Sequence, residues 1–103
     1  MNVLVVIESQ SGSKRTIQMR ANGPITIGRD QECGLRIKSD LISRRHAVVE
    51  FSGTAMRVED RSTNGTLASD QLLRHTGAWV PFGTAIVIGD HTLYFQSAGP
   101  PRS

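Results

Sequence analysis

The run Thr84-Ala85-Ile86-Val87-Ile88-Gly89-Asp90-His91-Thr92-Leu93-Tyr94-Phe95-Gln96 decides the fold class. β-Branched, aromatic and other apolar residues fill both arms, and the Gly-Asp pair between them supplies the glycine that a two-residue hairpin turn needs. Two strands folded back on each other are the reading. Outward from this hairpin the same period of two recurs, as expected of half-buried strands. In Thr16 to Arg20 the apolar positions 17 and 19 share a face, and in Pro24 to Ile27 positions 25 and 27 do the same. Val3 to Ile7, Leu35 to Ile37, Ala47 to Phe51 and Met56 to Val58 read alike, and Ser11-Gly12, Asn22-Gly23 and Asn64-Gly65 punctuate them as turns. Only Asp40 to Val49 competes as a helix, and Ser43 with the β-branched pair Val48-Val49 argues against it. Many short strands without a crossover helix imply an all-β sandwich or barrel.

The chain has 103 residues, 38% of them hydrophobic, which suits one domain with one core. A single cysteine, Cys33, rules out an internal disulfide framework and a multi-cysteine metal cage, and it fits a reducing compartment. No metal and no cofactor are expected. The first apolar run, Val3 to Ile7, is too short and lacks the basic flank of a signal peptide. No stretch approaches the roughly 18 apolar residues of a membrane span. The expectation is a cytoplasmic protein with no membrane partner. Ser97 to Ser103 has linker composition, so residues 1–97 are expected to form the module and 98–103 a linker or tail leading elsewhere.

Twelve Lys and Arg against nine Asp and Glu leave a net charge of +3, a mild excess scattered along the chain. Ten of those cations are arginine, whose planar fork suits oxyanions. Three polar clusters fall between the strands, where a rigid sandwich presents its loops. Gly28-Arg29-Asp30 puts a guanidinium at a strand end, open to an anion or, read alone, simply a solvated loop arginine. Ser43-Arg44-Arg45-His46 combines a hydroxyl, two cations and an imidazole, a set suited to phosphate because charge-assisted hydrogen bonds are the strong ones. His46 in that set also reads as a satisfied structural histidine. Asp60-Arg61-Ser62-Thr63-Asn64-Gly65-Thr66 carries hydroxyl and amide groups able to hold an extended peptide, or is a plain tight turn.

Together, Gly28-Arg29, Ser43 with His46 three residues on, and Ser62-Thr63-Asn64-Gly65-Thr66 resemble the signature of the forkhead-associated (FHA) domain in order and spacing, over essentially residues 1–97. The resemblance implies an eleven-stranded β-sandwich whose loops at one end bind phosphothreonine peptides. It implies that Arg29, Ser43 and Arg44 contact the phosphate, that Thr63 shapes the pocket around the threonine methyl, and that Asn64 bonds the peptide main chain. Leu41 would sit where the residue three after the phosphothreonine is read, and Gly28, His46 and Gly65 would support the loops. The partner implied is a phosphothreonine-containing protein in a Ser/Thr kinase pathway, or a phosphorylated segment of the same, longer chain. The family usually places an Asn-Gly pair shortly after this motif, and here the chain has Leu67-Ala68-Ser69-Asp70 instead.

Catalysis is not expected, since no nucleophile elbow, phosphate loop or zinc-protease motif occurs. The departure at Ser69-Asp70 keeps open a phosphate-independent scaffold of the same fold. A basic nucleic-acid-binding β domain is disfavoured because dense positive charge is missing. The aromatics Phe51, Trp79, Phe82, Tyr94 and Phe95 also read as core or turn packing rather than a stacking platform.

Overall fold

A computed structural model describes residues 1–98. Eleven strands form: β1 (Asn2–Ser9), β2 (Lys14–Arg20), β3 (Ile25–Gly28), β4 (Leu35–Arg36), β5 (Ala47–Phe51), β6 (Ala55–Asp60), β7 (Thr66–Ala68), β8 (Gln71–Leu73), β9 (Gly77–Pro81), β10 (Ile86–Ile88) and β11 (His91–Ser97). They make a six-stranded sheet in the order β2-β1-β11-β10-β7-β8 and a five-stranded sheet in the order β4-β3-β5-β6-β9. Among the described residues there is no helix, so Asp40 to Val49 is a loop followed by β5. The expected tail lies, from residue 99 on, outside the described residues.

Alternation decides which face each strand buries. Val3, Val5 and Ile7 of β1 point inward with Leu93 and Phe95 of β11, facing Ile25, Ile27, Ala47, Val49, Met56 and Val58 of the other sheet. Phe51 stacks on Phe82 at 6.0 Å and meets the edge of Phe95 at 5.7 Å, closing one end of the core. The hairpin that opened the reading is β10–β11. Ile88 pairs with His91 across Gly89-Asp90, and Gly89 has φ +58° while Asp90 does not adopt positive φ, the pattern of a type II′ turn.

Four details correct the sequence reading. β7, β8 and β9 are absent from the residue-by-residue expectation, because two of them are three residues long and the third carries a glycine and a proline. Asn22-Gly23 is no hairpin turn, since it passes the chain from β2 in one sheet to β3 in the other. β3 and β4 pair in parallel within an otherwise antiparallel molecule. Trp79 does not pack in the core. Ala78 and Val80 face inward on the edge strand β9, so Trp79 turns outward opposite Arg57 and is 59% exposed.

Candidate phosphate-binding site

Three loops meet at one end of the sandwich, and backbone hydrogen bonds hold them in register. Leaving β3, Arg29 donates its N–H to the Ser43 carbonyl at 3.0 Å, and Asp30 donates to the Arg44 carbonyl at 3.1 Å. The chain after β3 therefore lies directly against the segment that precedes β5. Gly28 makes this approach possible, because a Cβ there would stand 2.1 Å from the Arg44 carbonyl oxygen. The Cys33 thiol also donates to the Arg44 carbonyl, and burial followed by the nearby Asp30 charge pushes that thiol up from its usual pKa.

Arg29 is exposed but not loose. Its Nε donates to the Ile42 carbonyl at 3.0 Å, and Ile42 is itself 1% exposed, so the acceptor is anchored in the core. The two terminal guanidinium nitrogens then project from a fixed base. The Ser43 hydroxyl accepts a hydrogen bond from the Thr63 N–H at 3.3 Å, which brings the third loop to the same rim. Arg29, Ser43 and Thr63 thus converge from positions far apart in sequence. Arg44 follows Ser43 on this rim with its side chain exposed, and Asn64 is exposed beside Thr63. Leu41 stands out from the loop at 62% exposure.

Beneath the rim His46 links two of the loops. Its Nδ1 accepts the Ser43 N–H at 3.1 Å, so the ring proton resides on Nε2 and is donated to the Gly65 carbonyl at 3.0 Å. The ring is 1% exposed and both nitrogens are used. Gly65 has φ +99°, and a Cβ there would approach the Leu73 carbonyl oxygen to 3.2 Å, which reserves the position for glycine.

Asp60 heads the third polar cluster, but the sequence assigns it no role. Also 1% exposed, it ends β6, and its Oδ1 accepts from the Ser62 N–H, the Ser62 hydroxyl at 2.6 Å and the Thr66 hydroxyl at 2.7 Å. Its Oδ2 accepts the His75 N–H at 2.9 Å. The Ser62 hydroxyl in turn accepts the Gly65 N–H. Burial pushes this carboxyl up, and the Ser62, His75 and Thr66 hydrogen bonds outweigh it, so the group lies below the usual aspartate range. The signal in the sequence is the pair of hydroxyl residues two and six positions after an aspartate, a side-chain-bonded turn rather than a bare Asn-Gly turn.

The Ser69-Asp70 departure is also resolved by the structure. These two residues close the β7–β8 hairpin, with Ala68 paired to Gln71 and Ser69 at φ +57°. A tight turn therefore persists where the sequence lacks a glycine. What the assembled rim offers chemically is positive charge, a hydroxyl and backbone donors around one point. Among the described residues no cluster of His, Cys, Asp or Glu is suited to a metal, and no helix is long and apolar enough to cross a membrane.

Known proteins share this fold. The FHA domain family model matches residues 25–89. The chain is 38% identical over 88 residues to the FHA domain-containing protein FhaB of Mycobacterium tuberculosis, taking in 84% of this chain and 54% of FhaB. It thus spans about half the length of the curated relative it matches. An FHA domain solved in a structural and functional analysis of phosphothreonine-dependent FHA domain interactions superposes with a TM-score of 0.74 at 28% identity, over 94% of this chain and 99% of that one. Mycobacterium tuberculosis EmbR in complex with a low affinity phosphopeptide gives a TM-score of 0.74 at 30% identity, over 96% of this chain and 26% of that one.

Proposed function

Because the chain belongs to the FHA domain family, whose members are binding modules, we propose that residues 1–97 form a phosphothreonine-dependent protein–protein interaction module. The observation that carries this reading is the meeting of Arg29, Ser43 and Thr63 on one rim, with Arg29 pre-set by the Ile42 carbonyl. A phosphothreonine brings about −1.5 to −2 charges and three acceptor oxygens, so its receptor needs fixed cations and several donors. The guanidinium ends of Arg29, the Ser43 hydroxyl and Arg44 supply them. Thr63 borders the space for the threonine methyl, Asn64 takes the peptide main chain, and Leu41 meets an apolar side chain further along. Gly28, His46 and Gly65 keep the loops in register.

The partner is a phosphothreonine-containing protein produced by a Ser/Thr kinase, or a phosphorylated segment of this protein's own longer chain. The reading needs no catalysis and no cofactor, and it places the module in the cytoplasm, where Cys33 stays reduced.

Fluorescence anisotropy with a phosphothreonine peptide and its unphosphorylated twin tests it. Only the phosphorylated peptide should bind, and Arg29→Ala should weaken it by about tenfold or more, since a hydrogen bond to a charged group is worth about 1.5–3 kcal/mol. Arg29→Ala should still unfold in one cooperative transition, losing no more than the Nε–Ile42 hydrogen bond, about 0.5–1.5 kcal/mol. Equal affinity for the two peptides would favour the phosphate-independent scaffold.

A further inference from the structure

Beside the rim, the two sheets part at their open edges, where β2 ends one sheet and β4 ends the other. The opening is a cleft of about 350 Å³ lined by Arg15, Arg36, Ile37, Lys38 and His91. Register explains why Arg15 and His91 face into it. Arg15 pairs with the inward-facing Ile7, so it occupies the same face as the core residues of β1, and His91 lies two residues before the buried Leu93. On the opposite sheet Leu35 and Ile37 face the core, so the exposed Arg36 and Lys38 line the cleft at its outer lip.

Three cations of this cleft have no ion-pair partner among the described residues, and His91 meets the Asp90 carboxylate. Among the described residues, Lys14, Arg45, Arg57 and Arg61 each face a carboxylate, whereas Arg15, Arg36 and Lys38 form no salt bridge. No acidic side chain lines the cleft. The nearby Asp90 carboxylate is occupied by the Ser39 hydroxyl at 2.7 Å and by His91 Nδ1 at 2.9 Å, which turns the imidazole to a set orientation. An inward-pointing charge on an edge strand does guard against unwanted strand pairing, and that accounts for Arg15. It does not account for two further cations reaching the same concavity from the other sheet, where like charges repel.

The cleft is also joined to the rim. Arg36 donates from Nε to the Arg29 carbonyl at 3.1 Å, and the Ile37 N–H bonds the Gly28 carbonyl at 2.8 Å. The β10–β11 turn is pressed against the loop before β5, since a Cβ on Gly89 would stand 2.6 Å from the Leu41 carbonyl oxygen.

We propose that this cleft is a second phosphate-binding site, which takes a further phosphoryl group on the same docked phosphoprotein. Arg15, Arg36 and Lys38 supply the charge, and the Arg36–Arg29 link ties the second phosphate to the first. The proposal rests on the phosphothreonine reading of the rim for its partner, and its test separates the two. Phosphothreonine peptides carrying a second phosphothreonine at a graded series of spacings are compared with their singly phosphorylated parents, at constant ionic strength. One spacing should bind about tenfold tighter than its parent, the worth of one charge-assisted hydrogen bond. Arg15→Gln and Lys38→Gln should each erase most of that gain and leave the singly phosphorylated peptide unchanged.

No gain at any spacing, or an equal loss for both peptides in these variants, would overturn the proposal. Inorganic phosphate titrated into the isotope-labelled Arg29→Ala chain reads the cleft independently of peptide docking. Shifts at Arg15, Arg36, Lys38 and His91, absent in an added Lys38→Gln background, are expected. Their absence would overturn the cleft as a phosphate site even if the rim binds peptide. Their presence without tighter doubly phosphorylated binding would overturn the assignment to the same partner.

Discussion

Asp60 touches nothing outside the protein, yet it fixes how the Thr63-Asn64 loop is presented. Its four accepted hydrogen bonds reach Ser62, Thr66 and His75, and Ser62 passes the constraint on to Gly65. In Asp60→Asn one oxygen becomes a donor facing either the hydroxyls or the His75 N–H, and a buried donor then lacks an acceptor. A loss of about 1.5–3 kcal/mol is expected, seen as a fall of roughly 6–24 °C in melting temperature. The pH dependence carries a sign. Because the folded carboxyl titrates below its ordinary value of 3.8, the unfolded chain binds the extra proton first. Asp60 therefore contributes fully above pH 3.8 and loses its contribution as the pH falls through that value toward the folded one. Urea titrations between neutral and acid pH should show a steeper acid loss for the wild type than for Asp60→Asn. Parallel curves of equal midpoint would contradict this account.

Among the elements, the turn between β7 and β8 is the one built against its residue type. Ser69 sits at φ +57°, a region that costs a non-glycine residue on the order of 1 kcal/mol or more. Ser69→Gly relieves the strain and gives back part of it as unfolded-state entropy, so a net gain of about 0.5–1 kcal/mol is expected. Calorimetry should show a melting temperature higher by about 2–6 °C, with phosphopeptide affinity unaltered; a lower one would show that the turn is unstrained. This turn also marks where the sequence stops being legible. β1, β5, β10 and β11 announce themselves because each alternates over several residues or is closed by a glycine of the right kind. β7 and β8 are three residues long, and β9 carries Gly77 and Pro81, so neither period nor composition separates them from loop. Within the site, Arg29, Ser43, Thr63 and Asn64 stand out by type and spacing because they face outward. Ile42 and Asp60 do not, since an apolar residue and a carboxylate acquire their roles only when distant loops are stacked on them.

At the scale of the whole molecule, the rim has no covalent frame and depends on the sandwich bringing three loops together. Arg29 leaves β3, Ser43 precedes β5 and Thr63 follows β6, all in the five-stranded sheet, while Gly65 and Thr66 lead into the six-stranded one. Parallel pairing of β3 with β4 and the crossing at Asn22-Gly23 set this arrangement, and both are long-range features that no local pattern carries. A ligand that bridges the loops binds only the folded chain, so its binding free energy adds to the stability of every element at once. At a hundred times its dissociation constant such a ligand contributes about 2.7 kcal/mol, which for a domain of this size is a rise of roughly 10–20 °C in melting temperature. Thermal scans with a phosphothreonine peptide should show that rise, none with the unphosphorylated peptide, and little in Arg29→Ala at the same concentration. A single cooperative transition moving as one is the expected form, because the loops belong to both sheets. If the peptide instead split the transition, or raised the melting temperature of Arg29→Ala as much as that of the wild type, the phosphate would be held somewhere other than the rim that Arg29 and Ser43 share.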